Sequence, residues 1–140
     1  MKYLLSILLL CAAQVASAQS ETETPAPGSP LWVALMDAVR TAVEPELEQH
    51  VVFKIDQLKV KNGWAFMRGV PQLPDGGAVD YKKTKYQAAI REGMFDNNIC
   101  ALIHKKTNGE WWVVEFKLGS TDVPWVTWPA QYKAPKSIFE

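Results

Sequence analysis

Cys100 and His104 stand four residues apart in "NNICALIHKK". A thiol whose proton is drawn off by a nearby imidazole is the smallest set for nucleophilic catalysis. The spacing decides against it here. The stretch alternates as a strand does, and at ~3.3 Å per residue the two side chains lie about 13 Å apart along it. His50, the other histidine, sits in "EQHV" and reads as a solvated residue leading into the first strand. Cys100, with Ile99 and Leu102 close by, reads as a small apolar core residue.

A second set could hold a divalent ion. Glu115-Phe116-Lys117 places a carboxylate and an amine on one face of a strand, and Asp96 lies upstream. The set resembles the arrangement of metal-dependent nucleases, where carboxylates hold the ion and a lysine helps activate water. Asp96, Glu115 and Lys117 therefore define one alternative reading, a metal-dependent hydrolase or nuclease. Against it, any amphipathic strand generates Glu-x-Lys, and the parallel sheet between helices that such enzymes bring is not patterned here. Other metal and phosphate chemistries lack their ligands. Structural zinc needs four Cys or His residues, and beyond residue 18 there are three, scattered. "DGG" at 75–77 lacks the other ligands of a calcium loop, and no glycine-rich phosphate loop of either standard form occurs. No cofactor is implied.

The third set is aromatic. Trp64 follows Asn62-Gly63 directly, so a two-residue turn sets Trp64 and Phe66 beside Lys61 and Lys59. Trp111 belongs to a second hairpin. Trp125, Trp128 and Tyr132 belong to "TDVPWVTWPAQYKAP", residues 121–135. An exposed row of such rings stacks on sugars or peptides, which makes a cell-wall glycan-binding module a further alternative. Buried rings fill a core instead. Asp122 with Pro124, and Thr127 or Trp128 with Pro129, are patterned to open short helical turns. The prolines lower the entropy lost on fixing the segment. Each tryptophan buries ~150–250 Å², enough to make the stretch a strap that closes the fold.

The N-terminus directs the chain to export. Lys2 supplies a positive start, Leu4 to Ala13 is apolar except for Ser6, and Ala16-Ser17-Ala18 is a small-residue cleavage pattern. The run is too short to span a membrane, which takes ~20 apolar residues. Leu10 before Cys11 is large where a lipid-attachment motif has Gly, Ala or Ser. Residues 1–18 are thus expected to be a signal peptide cleaved after Ala18, giving a periplasmic or secreted protein. Removing them from the 140 residues leaves 122 and takes away one basic residue, Lys2, so 14 basic residues face 15 acidic ones. There is no basic excess for nucleic acid. The loss of Cys11 leaves Cys100 without an intrachain disulfide partner.

These side chains are positioned by an expected order of elements. Residues 19–28, "QSETETPAPG", read as a flexible lead-in. Ser29-Pro30 open a helix whose apolar stripe is Leu31, Trp32, Leu35, Met36, Val39 and Val43, with Pro45 ending it or starting a further turn. Two alternating runs joined by Asn62-Gly63 follow, and their apolar parity flips near Asp56-Gln57, which predicts a bulge. Residues 71–82 are a loop, and "TKYQAAIREGMF" is patterned for a short helix closed by Gly93. The second hairpin turns at Asn108-Gly109. A two-residue turn pairs Lys105 with Trp112, Ile103 with Val114 and Ala101 with Phe116 as the core face. Trp111, Val113, Glu115 and Lys117 then share a mixed face with His104, Leu102 and Cys100.

"LKVKNGWAFMRGV" followed by "ALIHKKTNGEWWVVEF" resembles the strand pattern of small cystatin-like and NTF2-like proteins. With its Gly-x-Thr-Asp, Trp-Pro and Ala-Pro signposts, the C-terminal stretch resembles that of small exported bacterial proteins of uncharacterised function. The resemblance implies a fold and no reaction. The inhibitory Gln-x-Val-x-Gly motif of cystatins is absent, so protease inhibition is not implied. The expectation is one α+β domain over residues 29–140, with the N-terminal helix packed on a curved antiparallel sheet of about four strands, a cystatin-like or NTF2-like roll. Its expected function is non-catalytic binding of a protein, peptide, glycan or small ligand in the concavity between helix and sheet. Candidate contacts are Trp64, His104, Trp111, Glu115 and Lys117.

Overall fold

The computed structural model describes residues 20–140. The expected signal peptide, its cleavage site after Ala18, and Cys11 lie outside the described residues. Ser29 caps helix α1 (Pro30–Leu47), its hydroxyl oxygen accepting from the Trp32 N–H at 3.3 Å, and Pro30 occupies the first turn, where no N–H is needed. Leu35, Met36, Val39 and Val43 form the buried stripe. The helix does not stop at Pro45. It continues to Leu47, which is buried, and Glu48 closes it with φ 54° and its N–H on the Glu44 carbonyl. Burying a leucine is worth ~1.5–3 kcal/mol, which offsets the one intrahelical bond that the proline forfeits.

Strands β1 (Val52–Lys61), β2 (Trp64–Gln72), β3 (Ile99–Lys105) and β4 (Trp111–Leu118) pair antiparallel in chain order. The fold is α+β, a helix on a four-stranded antiparallel sheet. α1 packs on Leu58, Val60, Ala65, Met67, Ile99, Ala101 and Ile103, and the space between helix and sheet is filled with these side chains.

The first hairpin forms as its sequence predicts. Asn62 (φ 52°) and Gly63 (φ 75°) make the two-residue turn, and Trp64 and Phe66 pair with Lys61 and Lys59. The register slips between Ile55 and Gln57, where Asp56 bulges out. Across from the bulge stands Gly69. A Cβ there would come within 2.3 Å of the Lys54 carbonyl oxygen, so the curled pair tolerates only glycine.

The second hairpin departs from expectation. The Asn108 side-chain oxygen accepts from the Glu110 N–H at 2.9 Å. The turn closes instead between the Lys106 carbonyl and the Gly109 N–H, with Gly109 at φ 90°. This longer turn pairs Lys105 with Trp111 and Ile103 with Val113; a bulge at Val114 then restores the expected pairs Leu102–Glu115 and Ala101–Phe116. Trp111 and Val113 consequently pack on the helix-side core, and Val114 moves to the other face. Trp112, expected opposite Lys105 on the core face, instead pairs with His104 on the other face and is exposed. The faces assigned to these four residues from sequence are corrected accordingly.

Between β2 and β3 the chain makes a turn at Leu73–Gly77, then short helix α2 (Gln87–Arg91), with Tyr81, Tyr86 and Phe95 stacked edge-on or tilted against one another. The lead-in lies along the outer strand. Glu23 exchanges backbone hydrogen bonds with Val60 at 2.8 and 2.9 Å, Pro25 is buried, and the Thr22 and Ser137 hydroxyls are 2.7 Å apart. An edge strand has unpaired backbone groups, and Glu23 satisfies two of them.

After β4 a 3-10 turn (Pro124–Thr127) and helix α3 (Trp128–Tyr132) form where the prolines predict turns, although neither the Asp122 nor the Thr127 side chain accepts a capping bond. Trp128, Ala134 and Ile138 bury themselves against Phe66, Cys100 and Leu102 on the face away from α1. That face, mixed by its alternation, is covered in its middle by this segment.

Candidate functional site

Three cross-strand rows make up the face away from α1. They are Gln57–Arg68–Cys100–Lys117, Lys59–Phe66–Leu102–Glu115, and Lys61–Trp64–His104–Trp112. The middle row is sealed. Phe66 and Leu102 are fully buried, and the Phe66 ring meets Phe139 at 4.6 Å, Trp125 at 5.5 Å and Trp128 edge-on at 6.2 Å. The Tyr132 hydroxyl donates to the Glu115 carboxylate, which ties α3 to β4 and holds the phenol above its ordinary pKa.

The first row opens into a cleft of about 200 Å³. Its walls are Asp56, Arg68 and Gly69 from the bulged hairpin, Asn98 to Cys100 where β3 begins, and Ser120, Asp122 and Trp125 from the segment leaving β4. Gly119 (φ 77°) turns the chain over the sheet, and the Asn98 amide nitrogen holds the Ser120 carbonyl at 2.9 Å. Arg68 lies with its guanidinium carbon 5.2 Å over the Trp125 ring. Its Nε and Nη2 donate to Gln57 Oε1 at 3.2 and 2.8 Å. Among the described residues the ion pairs are Arg40–Asp37, His50–Glu44 and Lys85–Glu46, so neither Asp56 nor Asp122 neutralises Arg68 directly. The half-buried guanidinium keeps hydrogen-bonding capacity beyond the bonds to Gln57. Burial pushes the Cys100 thiol up to about 11, so at neutral pH it is a protonated wall residue and a poor nucleophile.

The residues singled out from sequence fall in several places. Trp64 and His104 are together, their rings stacked at 3.9 Å with 19° between planes. Each spends a face on the other, which leaves less ring surface for a sugar. Trp112, opposite His104, is the exposed aromatic of that row at 43%. Trp111 is on the helix side, with the Lys105 ammonium 5.8 Å from its ring. Glu115 and Lys117 share a face in adjacent rows, but Asp96 lies in the exposed loop before β3, its N–H on the Gly119 carbonyl at 3.1 Å. Four residues of strand separate Glu115 from Gly119, about 13 Å at ~3.3 Å each, so the structure does not bring Asp96 to Glu115. Among the described residues no group of three His, Cys, Asp or Glu side chains is placed to hold a metal. His50 is exposed, with Nδ1 3.4 Å from Glu44 Oε2.

Sequence reasoning did not single out Asp56, Arg68, Ser120 or Asp122 as site residues. One signal was present: Arg68 is the single charged residue in β2, "WAFMRGVPQ". The chain matches no protein-family model, and no curated protein or solved structure is significantly similar to it. No helix among the described residues is long and apolar enough to cross a membrane.

Proposed function

We propose that this chain is an exported, non-catalytic protein that binds a small ligand in the Arg68–Trp125 cleft. Arg68 carries the reading: a half-buried guanidinium, stacked on tryptophan and without a carboxylate partner among the described residues, lines a cavity. The bonds to Gln57 leave donors of the planar fork unspent, and a ligand carboxylate would take them. The core between helix and sheet is packed, and this reading takes the Arg68 cleft on the opposite face in place of the expected concavity. The absence of a thiolate nucleophile at Cys100 and the separation of Asp96 from Glu115 favour binding over catalysis. Export rests on Lys2, the apolar run and Ala16-Ser17-Ala18. Residues 121–135 serve as a structural strap in this reading, closing a cystatin-like or NTF2-like roll and supplying one wall of the cleft.

A thermal-shift screen of small polar molecules against the full chain and Arg68→Lys tests the proposal. A ligand at about 100 times its Kd stabilises by ~2.7 kcal/mol, a shift of several degrees for a domain of this size. Compounds that raise the parent Tm and leave the variant unmoved are expected. A broad screen without an Arg68-dependent stabiliser would overturn it.

A further inference from the structure

The charges around the cleft define the kind of molecule it takes. Arg68 offers a planar fork of donors suited to a carboxylate. Asp56 and Asp122 line the same cavity and offer acceptors suited to an ammonium group. The two signs are not spent on each other, because neither carboxylate lies within 4.0 Å of the guanidinium. A simple anion would satisfy Arg68 and be repelled by the two aspartates. A simple cation would satisfy the aspartates and be repelled by Arg68. A molecule carrying both charges a few bonds apart satisfies both sets.

Size narrows the class. The cavity of about 200 Å³ is below the range of drug-sized pockets, and at ~30 Å³ per water it equals about six or seven water molecules. A small amino acid fits within it, with room left for ordered water. The Asn98 and Ser120 side chains add neutral hydrogen-bonding groups, and Trp125 supplies an apolar wall.

Resting on the assignment of this cleft as the binding site, we infer that its ligand is a small zwitterion of the α-amino-acid type. The carboxylate sits on Arg68 and the ammonium between Asp56 and Asp122. Neither group forms or breaks a covalent bond.

Calorimetric titration of the full chain with glycine, alanine and serine, against acetate and methylammonium as half-ligands, tests this. At least one amino acid should bind tenfold or more tightly than either half-ligand. Arg68→Gln and Asp122→Asn should each weaken it at least tenfold, and Asp122→Asn should improve acetate binding by removing a like charge. Circular dichroism confirms that each variant folds, with Arg68→Lys as the substitute if Arg68→Gln does not. Acetate binding the parent as tightly as alanine, dependent on Arg68, would overturn the zwitterion and leave the cleft a binding site for anions. No binding by any of the five probes would overturn the zwitterion as well, and the broader screen then decides whether the cleft binds anything.

Discussion

Gln57 and Arg68 face one another across β1 and β2, and one amide oxygen takes both guanidinium bonds, 3.2 Å from Nε and 2.8 Å from Nη2. The same amide donates from Nε2 to the Ile138 carbonyl at 3.1 Å and the Glu140 carbonyl at 3.3 Å. A single side chain therefore orients the cation of the cleft and anchors the end of the chain.

Gln57→Ala should have two effects. The four hydrogen bonds fall as two shared pairs, one on Oε1 and one on Nε2; at ~0.5–1.5 kcal/mol net for each pair, a stability loss of about 1–3 kcal/mol is expected in urea unfolding. Binding of any Arg68-dependent ligand should also weaken, because the guanidinium loses its fixed orientation. An unchanged unfolding midpoint would show that the tether carries no weight.

Trp128→Ala should cost ~3–5 kcal/mol, since the side chain is buried against Phe66, Cys100 and Leu102. Trp112→Ala, at an exposed position, should stay within ~0.5 kcal/mol. Thermal unfolding compares the two, and a Trp128→Ala protein as stable as the parent would refute the strap.

At Gly69 even the smallest side chain is refused. The added Cβ of Gly69→Ala would lie 2.3 Å from the Lys54 carbonyl oxygen, so backbone must move and the bulge at Asp56 with it. Overpacking of this kind costs ~1–3 kcal/mol. Because Gly69 and Asp56 both line the cleft, ligand binding should fall along with stability, as paired melting and titration experiments will read.

Cys100 sets an alkaline limit. Its thiol is raised from the ordinary 9.0 to about 11, chiefly by burial. Below about pH 9 both folded and unfolded chains hold the proton. Between about 9 and 11 the unfolded chain releases it first, so the stability tied to the thiol is lost as pH rises through that window. Cys100→Ala should flatten this part of the stability–pH curve, leaving the loss due to the phenols: Tyr81, which burial raises to about 12, Tyr86, raised by burial and the Glu46 carboxylate, and Tyr132, raised by its bond to Glu115. A thiol reagent at neutral pH should label the native chain far more slowly than the unfolded one.

Much of the scaffold is legible along the chain because its determinants are local. The spacing of Leu35, Met36, Val39 and Val43 dictates one buried helical stripe, and Asn62-Gly63 suits a turn with two positive φ angles. The parity flip before Leu58 marks the bulge at Asp56. The same reasoning misplaced Trp111, Trp112, Val113 and Val114. Alternation reports that a strand has two faces; it does not report which residue absorbs a slip, and Val114 does so here.

Contacts between distant residues were decided only in three dimensions. Asp56, Arg68, Asn98 and Asp122 come from four separate stretches, and no periodicity links them. What joins them is the return of the C-terminal segment over the sheet, driven by the burial of Trp128 and Ile138 on Phe66 and Leu102. Local patterning chose the helix, the hairpins and the apolar residues available for burial. Long-range packing chose which face received them, and so left Arg68 stacked on Trp125 at the wall of a cleft.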